Sequence, residues 1–336
     1  MIDLSTDYLG LKLKNPVVVS AGPLSREIAT IQQMEKAGAA AVVLHSLFEE
    51  QINLESHELD RFLASGEAVS AEAINVFPDM TSYNIGPDQY LEQIRKVKKA
   101  VNIPIIASLN GVSKGGWTRY AKLMQRAGAD AIELNIYYTP TDPQMASGEV
   151  EQMYCELVSS VKQSVSIPVA VKIGPFFSAM AHMATQLDKA GADALVMFNR
   201  FYQVDFDLDN LDVVPSMVLS RPNELKLRLT WVAILFGKVR ADMAVTGGVH
   251  SAEDVVKSMM AGARVAMTTS ALLLNGVNYL RTLVSDLEAW LEEHEYESIR
   301  QMQGSMSQKS VAHPAAFERA NYMKVLSSYE VRETVR

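Results

Sequence analysis

A single (β/α)8 TIM barrel, a closed ring of eight parallel strands each followed by a helix, is the fold class that this sequence predicts. Three observations carry it. Ala-Gly-Ala recurs at Ala37-Gly38-Ala39, Ala127-Gly128-Ala129, Ala190-Gly191-Ala192 and Ala261-Gly262-Ala263, each time between an amphipathic segment and a short apolar run. A glycine there supplies the left-handed conformation that ends a helix, and small alanines let the chain turn into a buried strand. Asn102-Ile103-Pro104 and Ser166-Ile167-Pro168 close two further helical segments, with proline tolerated at the first strand residue. Finally, there are eight such runs, and near-continuous apolar strands are what a parallel sheet covered on both faces requires.

In chain order, residues 1–14 read as a short hairpin, DLSTDYLG then LKLKN, that would cap the bottom of the barrel. The strands follow at 15–22, 40–46, 104–111, 131–137, 168–174, 194–200, 241–248 and 264–271. Segments between them show helical spacing, as in Tyr90, Ile94, Val97 and Val101. Long loops follow strand 2 (residues 47–88, with His57, Pro78, Asn84 and Pro87) and strand 6 (residues 201–223, with FYQVDFDLDNLD). Both would rise at the face where such barrels bind ligands. Residues 1–293 form the predicted barrel domain, and 294–336 a C-terminal helical extension. An open doubly wound sheet is the rival. It would want GxGxxG after the first strand, where this chain has Ser20-Ala21-Gly22-Pro23-Leu24-Ser25.

Composition narrows the function. The chain has 336 residues, of which 48% are hydrophobic and 21% charged, enough apolar content for a full core. A net charge of −8, without any dense Lys/Arg cluster, argues against nucleic acid as the partner and leaves a small-molecule substrate as the default. One cysteine, Cys155, excludes an internal disulfide, a cysteine-based zinc site or an iron–sulfur cluster held by this chain alone. No metal is expected. With no basic segment leading an apolar stretch, and no apolar run near the roughly 18–20 residues that span a bilayer, a cytoplasmic protein without a membrane partner is expected.

Polar residues at the carboxyl ends of the strands are the site candidates. They are Ser20-Ala21-Gly22, His45-Ser46, Asn110-Gly111, Asn135, Lys172, Asn199-Arg200, Thr246-Gly247-Gly248 and Thr268-Thr269-Ser270. Gly247-Gly248 with Thr269-Ser270, after strands 7 and 8, is a place where barrels hold phosphate on backbone N–H groups and hydroxyls; a tight turn is the plain alternative. Lys172 lies in an apolar run, so burial obliges it to find an anionic or electron-rich partner, either a ligand or a barrel carboxylate such as Glu133. Asn135 and Asn199 offer donors and acceptors to a planar heterocycle, or bridge strands. Together these residues suggest a flavin mononucleotide (FMN).

At this point the chain resembles the class 1 dihydroorotate dehydrogenases, up to about residue 290. The matching pieces are Asn15-Pro16 leading to Ser20-Ala21-Gly22, Glu133-Leu134-Asn135, Val171-Lys172, Asn199, Thr246-Gly247-Gly248-Val249, and the run from Ala261-Gly262-Ala263 to Thr269-Ser270-Ala271. The resemblance implies a flavin barrel that oxidises dihydroorotate to orotate in pyrimidine biosynthesis. It makes Ala21, Gly22, Ser46, Asn135 and Lys172 flavin-ring contacts, with Asn110 beside them. Asn199 would lie near ring and substrate, and Gly247, Gly248, Thr269 and Ser270 would hold the ribityl phosphate. Thr269-Ser270 departs from the family's Gly-Thr.

The substrate side departs further. Where the family places a cysteine or serine base before a proline, this chain reads Tyr137-Tyr138-Thr139-Pro140-Thr141. Thr139 stands at the position of the base, with Tyr138 and His45 as alternatives, and His45-Ser46 replaces Lys-Ser. Asn84 and Arg200 are the remaining substrate candidates, with Asn135 and Asn199. The resulting expectation is an FMN-dependent oxidoreductase acting on a C–C bond beside a carbonyl. A flavin protein without dehydrogenase activity, serving as partner subunit or sensor, and a barrel enzyme for a phosphorylated metabolite are the alternatives. At family level a homodimer is expected, and an iron–sulfur relay would need an electron-transfer partner subunit.

Overall fold

A computed structural model describes residues 2–52, 86–111, 114–200, 203–215, 217–319 and 321–328. Each of the eight apolar runs supplies one strand of a closed parallel barrel: β3 (Val17–Val19), β4 (Ala41–Phe48), β5 (Ile105–Gly111), β6 (Ala131–Ile136), β7 (Val169–Ile173), β8 (Ala194–Met197), β11 (Asp242–Thr246) and β12 (Val265–Thr268). The ring order is β11-β12-β3-β4-β5-β6-β7-β8. The open-sheet rival is excluded by this closure.

The Ala-Gly-Ala turns do what their chemistry asks. Gly38, Gly128, Gly191 and Gly262 all adopt positive φ, between 100° and 120°. In each turn the alanine after the glycine donates its N–H five residues back, at 2.9–3.2 Å: Ala39 to Met34, Ala129 to Met124, Ala192 to Leu187 and Ala263 to Ser258. That bond closes the helix end and aims the chain into the next strand.

Side chains alternate across each strand, so every second residue faces the barrel axis. The inward set at the lower levels is small: Ala41, Ala131, Ala170, Ala194 and Ala244, with Val18, Val43, Ile106, Val196 and Val265 above and between them. Tyr8, Leu9 and Leu13 fill the remaining space from below. They come from the expected N-terminal hairpin, β1 (Thr6–Tyr8) paired antiparallel with β2 (Leu11–Leu13). Two bonds seat it: the Leu9 N–H donates to Asp242 Oδ2 at 2.9 Å, and Thr6 Oγ1 donates to the Arg264 carbonyl at 3.0 Å. The outward faces join the surrounding helices in one large apolar core.

The loop after β8 folds as an exposed antiparallel ribbon, β9 (Val204–Asp207) with β10 (Asp212–Pro215). The loop after β4 opens with a helical turn at residues 49–52 and closes at Pro87, which starts the helix Pro87–Ala100. His57, Pro78 and Asn84 lie outside the described residues. Beyond the helix Tyr279–Glu293, the C-terminal segment holds short helices at Ile299–Met302 and Asn321–Ser327 joined by turns. Its first part is stitched to the barrel helices, Gly304 N–H to the Met259 carbonyl at 2.9 Å and Gln308 N–H to Ala233 at 3.0 Å. Among the described residues no helix is long and apolar enough to cross a membrane, and no group of His, Cys, Asp and Glu could hold a metal ion.

Candidate functional site

Strand alternation carries polar residues upward from the small inner layer. Glu133 and Asn135 stand two and four residues beyond inward-facing Ala131, and Lys172 two beyond Ala170. Ser108 and Asn110 follow Ile106 in the same way. The register sets Ser108 beside Glu133, Asn110 beside Asn135, and Asn135 beside Lys172. A polar floor therefore forms at the C-terminal mouth of the barrel.

Lys172 is buried, and its Nζ lies 3.6 Å from Glu133 Oε1, with Glu133 only 1% exposed. Neither carboxylate oxygen of Glu133 has a hydrogen-bond partner among the described residues. The pair neutralises two charges that burial would otherwise make costly. At that distance the ammonium protons remain available to a ligand above. Both readings of Lys172 thus meet in one residue: it is paired with Glu133 and it also lines the cleft.

That cleft has two connected halves, sharing Ala21, Gly22, Pro23, Lys172 and Met217. One half ends at His45, Ser46, Phe48, Asn110 and Asn135. The other ends at Gly247, Gly248, Thr269, Ser270, Ser220 and Arg200.

The second half is tightly interlocked. Gly247 and Gly248 have φ of +86° and +88°. A Cβ on Gly248 would sit 2.5 Å from the Leu225 nitrogen, so the backbone can take this path only without a side chain. The Gly248 N–H donates to Ser220 Oγ at 3.3 Å, and Ser220 Oγ donates to Ser270 Oγ at 2.9 Å. Arg228, buried beneath the glycines, donates to the Thr246 carbonyl at 3.0 Å and the Glu224 carbonyl at 2.8 Å. Thr269 needs no glycine, since its φ is −144°. Its hydroxyl donates to the Ser20 carbonyl at 2.8 Å, and its methyl carbon stands where a Gly22 Cβ would have to go, 2.8 Å away. The Thr-for-Gly departure is therefore absorbed by the turn after β3.

The first half is less completely bonded. Ser46 and Ser108 share a hydrogen bond at 2.8 Å, and Asn199 Nδ2 donates to Asn135 Oδ1 at 2.5 Å. This leaves the Asn135 amide N–H groups, the second Asn199 N–H and the Asn199 carbonyl oxygen for a ligand. His45 packs edge-on against Tyr90, with ring centroids 5.1 Å apart. Burial, reinforced by the positive charge of Arg26, lowers its pKa to about 4, so it is neutral at physiological pH. Its Nδ1 is buried without a hydrogen-bond partner among the described residues.

Of the candidates for the base, His45 lines the same half-cleft as Lys172. Tyr138 lies beyond Asn199, its hydroxyl donating to Met145 Sδ at 3.4 Å. Thr139 is exposed on the loop after β6 and lines neither half. Arg200 serves the glycine end, held by Glu224 at 3.2 Å and by the Val218 carbonyl. Sequence reading missed Arg26, Ser108, Ser220 and Arg228. Arg228 left a signal: it interrupts the buried spacing Leu225, Arg228, Val232, Leu235 of its helix. Ser220 left none, because its role comes from a loop that only folding brings to Ser270.

The donor set suits a long ligand with a phosphate and a planar heterocycle. Backbone N–H groups, hydroxyls and Arg200 gather at one end, amides and a neutral imidazole at the other, and the Lys172 ammonium lies in the wall between. A family model described as Dihydroorotate dehydrogenase matches residues 3–291. The catalytic subunit of dihydroorotate dehydrogenase B (NAD(+)) from Thermoplasma acidophilum is 26% identical over 309 residues, covering 90% of this chain and 99% of its own. The subunits of the same name from Caldicellulosiruptor saccharolyticus and Methanocaldococcus jannaschii are each 25% identical, over 317 and 298 residues. They cover 91% and 86% of this chain and 100% and 94% of their own.

Proposed function

The chain belongs to the dihydroorotate dehydrogenase family, oxidoreductases acting on CH–CH groups, and from that premise we propose that it binds FMN and oxidises, or in reverse reduces, a C–C bond beside a carbonyl. The observation that supports this reading is the two-ended cleft with Lys172 in the wall common to both halves. Gly247, Gly248, Ser220, Ser270 and Arg200 would hold the phosphate. Ala21, Gly22, Ser46, Asn110, Asn135 and Lys172 would hold the ring. When bound, FMN supplies a two-electron acceptor for hydride.

The protein's own residues do the rest. Lys172, buried in the cleft wall, would place positive charge beside a reduced ring and stabilise the negative charge that gathers there. Asn135 and Asn199, fixed by their mutual bond, orient the carbonyl-bearing substrate. Oxidation releases one hydride and one proton, and the proton needs an acceptor within hydrogen-bond reach. His45 lines the half-cleft with Lys172 whereas Tyr138 and Thr139 do not, so we assign it that role ahead of them. With Cys155 its one cysteine, the chain cannot hold an iron–sulfur relay. The catalytic-subunit names of its relatives support an electron-transfer partner subunit here too.

The test is anaerobic reduction of the purified protein. A yellow protein whose flavin absorbance bleaches with dihydroorotate or another CH–CH donor carries the reading. A protein that stays colourless after incubation with FMN overturns it.

A further inference from the structure

On the far side of the Asn135–Asn199 pair lies a pocket that the FMN reading does not use. It is walled by the loop after β6, the loop after β7 and the helix Ser147–Ser164. Five of its fourteen lining residues are aromatic, Tyr137, Tyr138, Tyr154, Phe176 and Phe177, in a chain that is 7% aromatic. Asn199 closes its inner end. Asn199 is also the residue bonded to Asn135 of the main cleft at 2.5 Å. One amide pair therefore forms the wall between the half-cleft that holds His45 and Lys172 and a pocket of aromatic rings.

The rings are set before any ligand arrives. Tyr154 and Phe177 meet edge to face, centroids 5.5 Å apart at 90°. The Tyr154 hydroxyl donates to the Ile136 carbonyl at 3.4 Å, and the Tyr138 hydroxyl to Met145 Sδ at 3.4 Å. Both phenols are thus turned to protein partners, leaving ring faces and edges to line the space. Phe176 stands at the rim, 71% exposed. Rigid aromatic walls with few polar groups select flat apolar groups by contact area and ring stacking.

Resting on the assignment of the main cleft to FMN, we propose that this pocket receives an apolar, preferably aryl, substituent of the substrate, whose carbonyl is held at Asn135 and Asn199. The substrate class is then an aryl-substituted carbonyl compound with its reacting C–C bond next to the carbonyl, rather than a small pyrimidine acid alone. The pocket is a specificity site and takes no part in proton or hydride transfer.

The test uses the FMN-loaded full chain, titrated with benzylideneacetone and with its alkyl counterpart ethylideneacetone. Binding is followed by the visible spectrum of the bound flavin and by calorimetry on the same samples. Benzylideneacetone should bind at least about tenfold more tightly. Phe176→Ala removes an exposed wall and Val150→Trp fills the pocket from the helix. In both variants the two enones should converge to within about twofold, through loss of aryl affinity, while ethylideneacetone affinity and flavin content stay unchanged. A flavin-bearing protein that binds the two enones equally, binds neither, or keeps its preference in both variants overturns this pocket assignment. A chain that takes up no flavin overturns the reading of the main cleft instead.

Discussion

The two ends of the cleft are built differently. At the ends of β11, β12 and β3, the polar side chains already have protein partners: Thr269 on Ser20, Ser270 on Ser220, Thr268 on Val249 and Arg228 on Thr246. At the ends of β4, β5 and β6, His45 Nδ1 and both Glu133 oxygens are buried without hydrogen bonds among the described residues. Buried polar atoms without partners are rare and need an explanation. A half whose side chains already hold one another is a preformed cradle. A half with unmet bonding capacity is completed by what binds there.

The largest effect should come from breaking the ion pair that underlies the open half. Lys172→Met leaves Glu133 charged and buried, and should cost about 3–5 kcal/mol in chemical denaturation. It should also lower the rate of flavin reduction about 10²–10³-fold. The double variant Lys172→Met/Glu133→Gln should recover much of the stability and none of the rate. Recovery of both would break the assignment of Lys172 to the chemistry.

Next comes the closed half. Gly248→Val forces a side chain into positive φ and onto the Leu225 backbone, and should cost about 3 kcal/mol with loss of flavin retention. Unchanged flavin content after purification would show that the glycine turn carries no phosphate.

His45 should give a smaller and pH-dependent effect. Its folded pKa lies below the unfolded value, so the unfolded state binds more protons between the two, and stability falls as pH drops from about 6.5 towards 4. With its partial exposure discounted, this amounts to about 2 kcal/mol. His45→Gln should flatten that window in pH-dependent denaturation and slow flavin reduction. The smallest change belongs to the cradle: Thr269→Gly should cost about 1 kcal/mol, the worth of the hydroxyl's bond to Ser20, with FMN affinity falling less than the Gly248 variant's.

Much of this contrast was legible in the sequence, for identifiable reasons. Helix-ending glycines and apolar strands are local, and a local pattern fixes where strands begin and which residues reach their C-terminal ends. That is why Lys172, Asn135, Asn199 and Gly247-Gly248 stand out in the sequence alone. The order of groups around the mouth is non-local. Nothing in the sequence indicates that Ser220 meets Ser270 across 50 residues, that the Tyr138 hydroxyl turns to Met145, or that Arg26 sits close enough to shift His45. Nor does the family position of Thr139 reveal its exposure, because loop path depends on tertiary packing rather than on residue type.

The hairpin beneath the barrel has a consequence for how the chain is made. Tyr8 and Leu9 leave the ribosome long before the residues that hold their hairpin, since Leu9 is fixed by Asp242 and Thr6 by Arg264, 233 and 258 residues later. Because the inward alanines leave a space that this plug fills, the barrel floor can be finished only after β11 and β12 have been synthesised. The growing chain must therefore carry an exposed Tyr8 and an open ring of strands until those two strands emerge, a period in which sequence-distant pairing is slow and exposed edges invite aggregation. Deleting residues 2–14 should then show its main effect in the yield of soluble protein from synthesis.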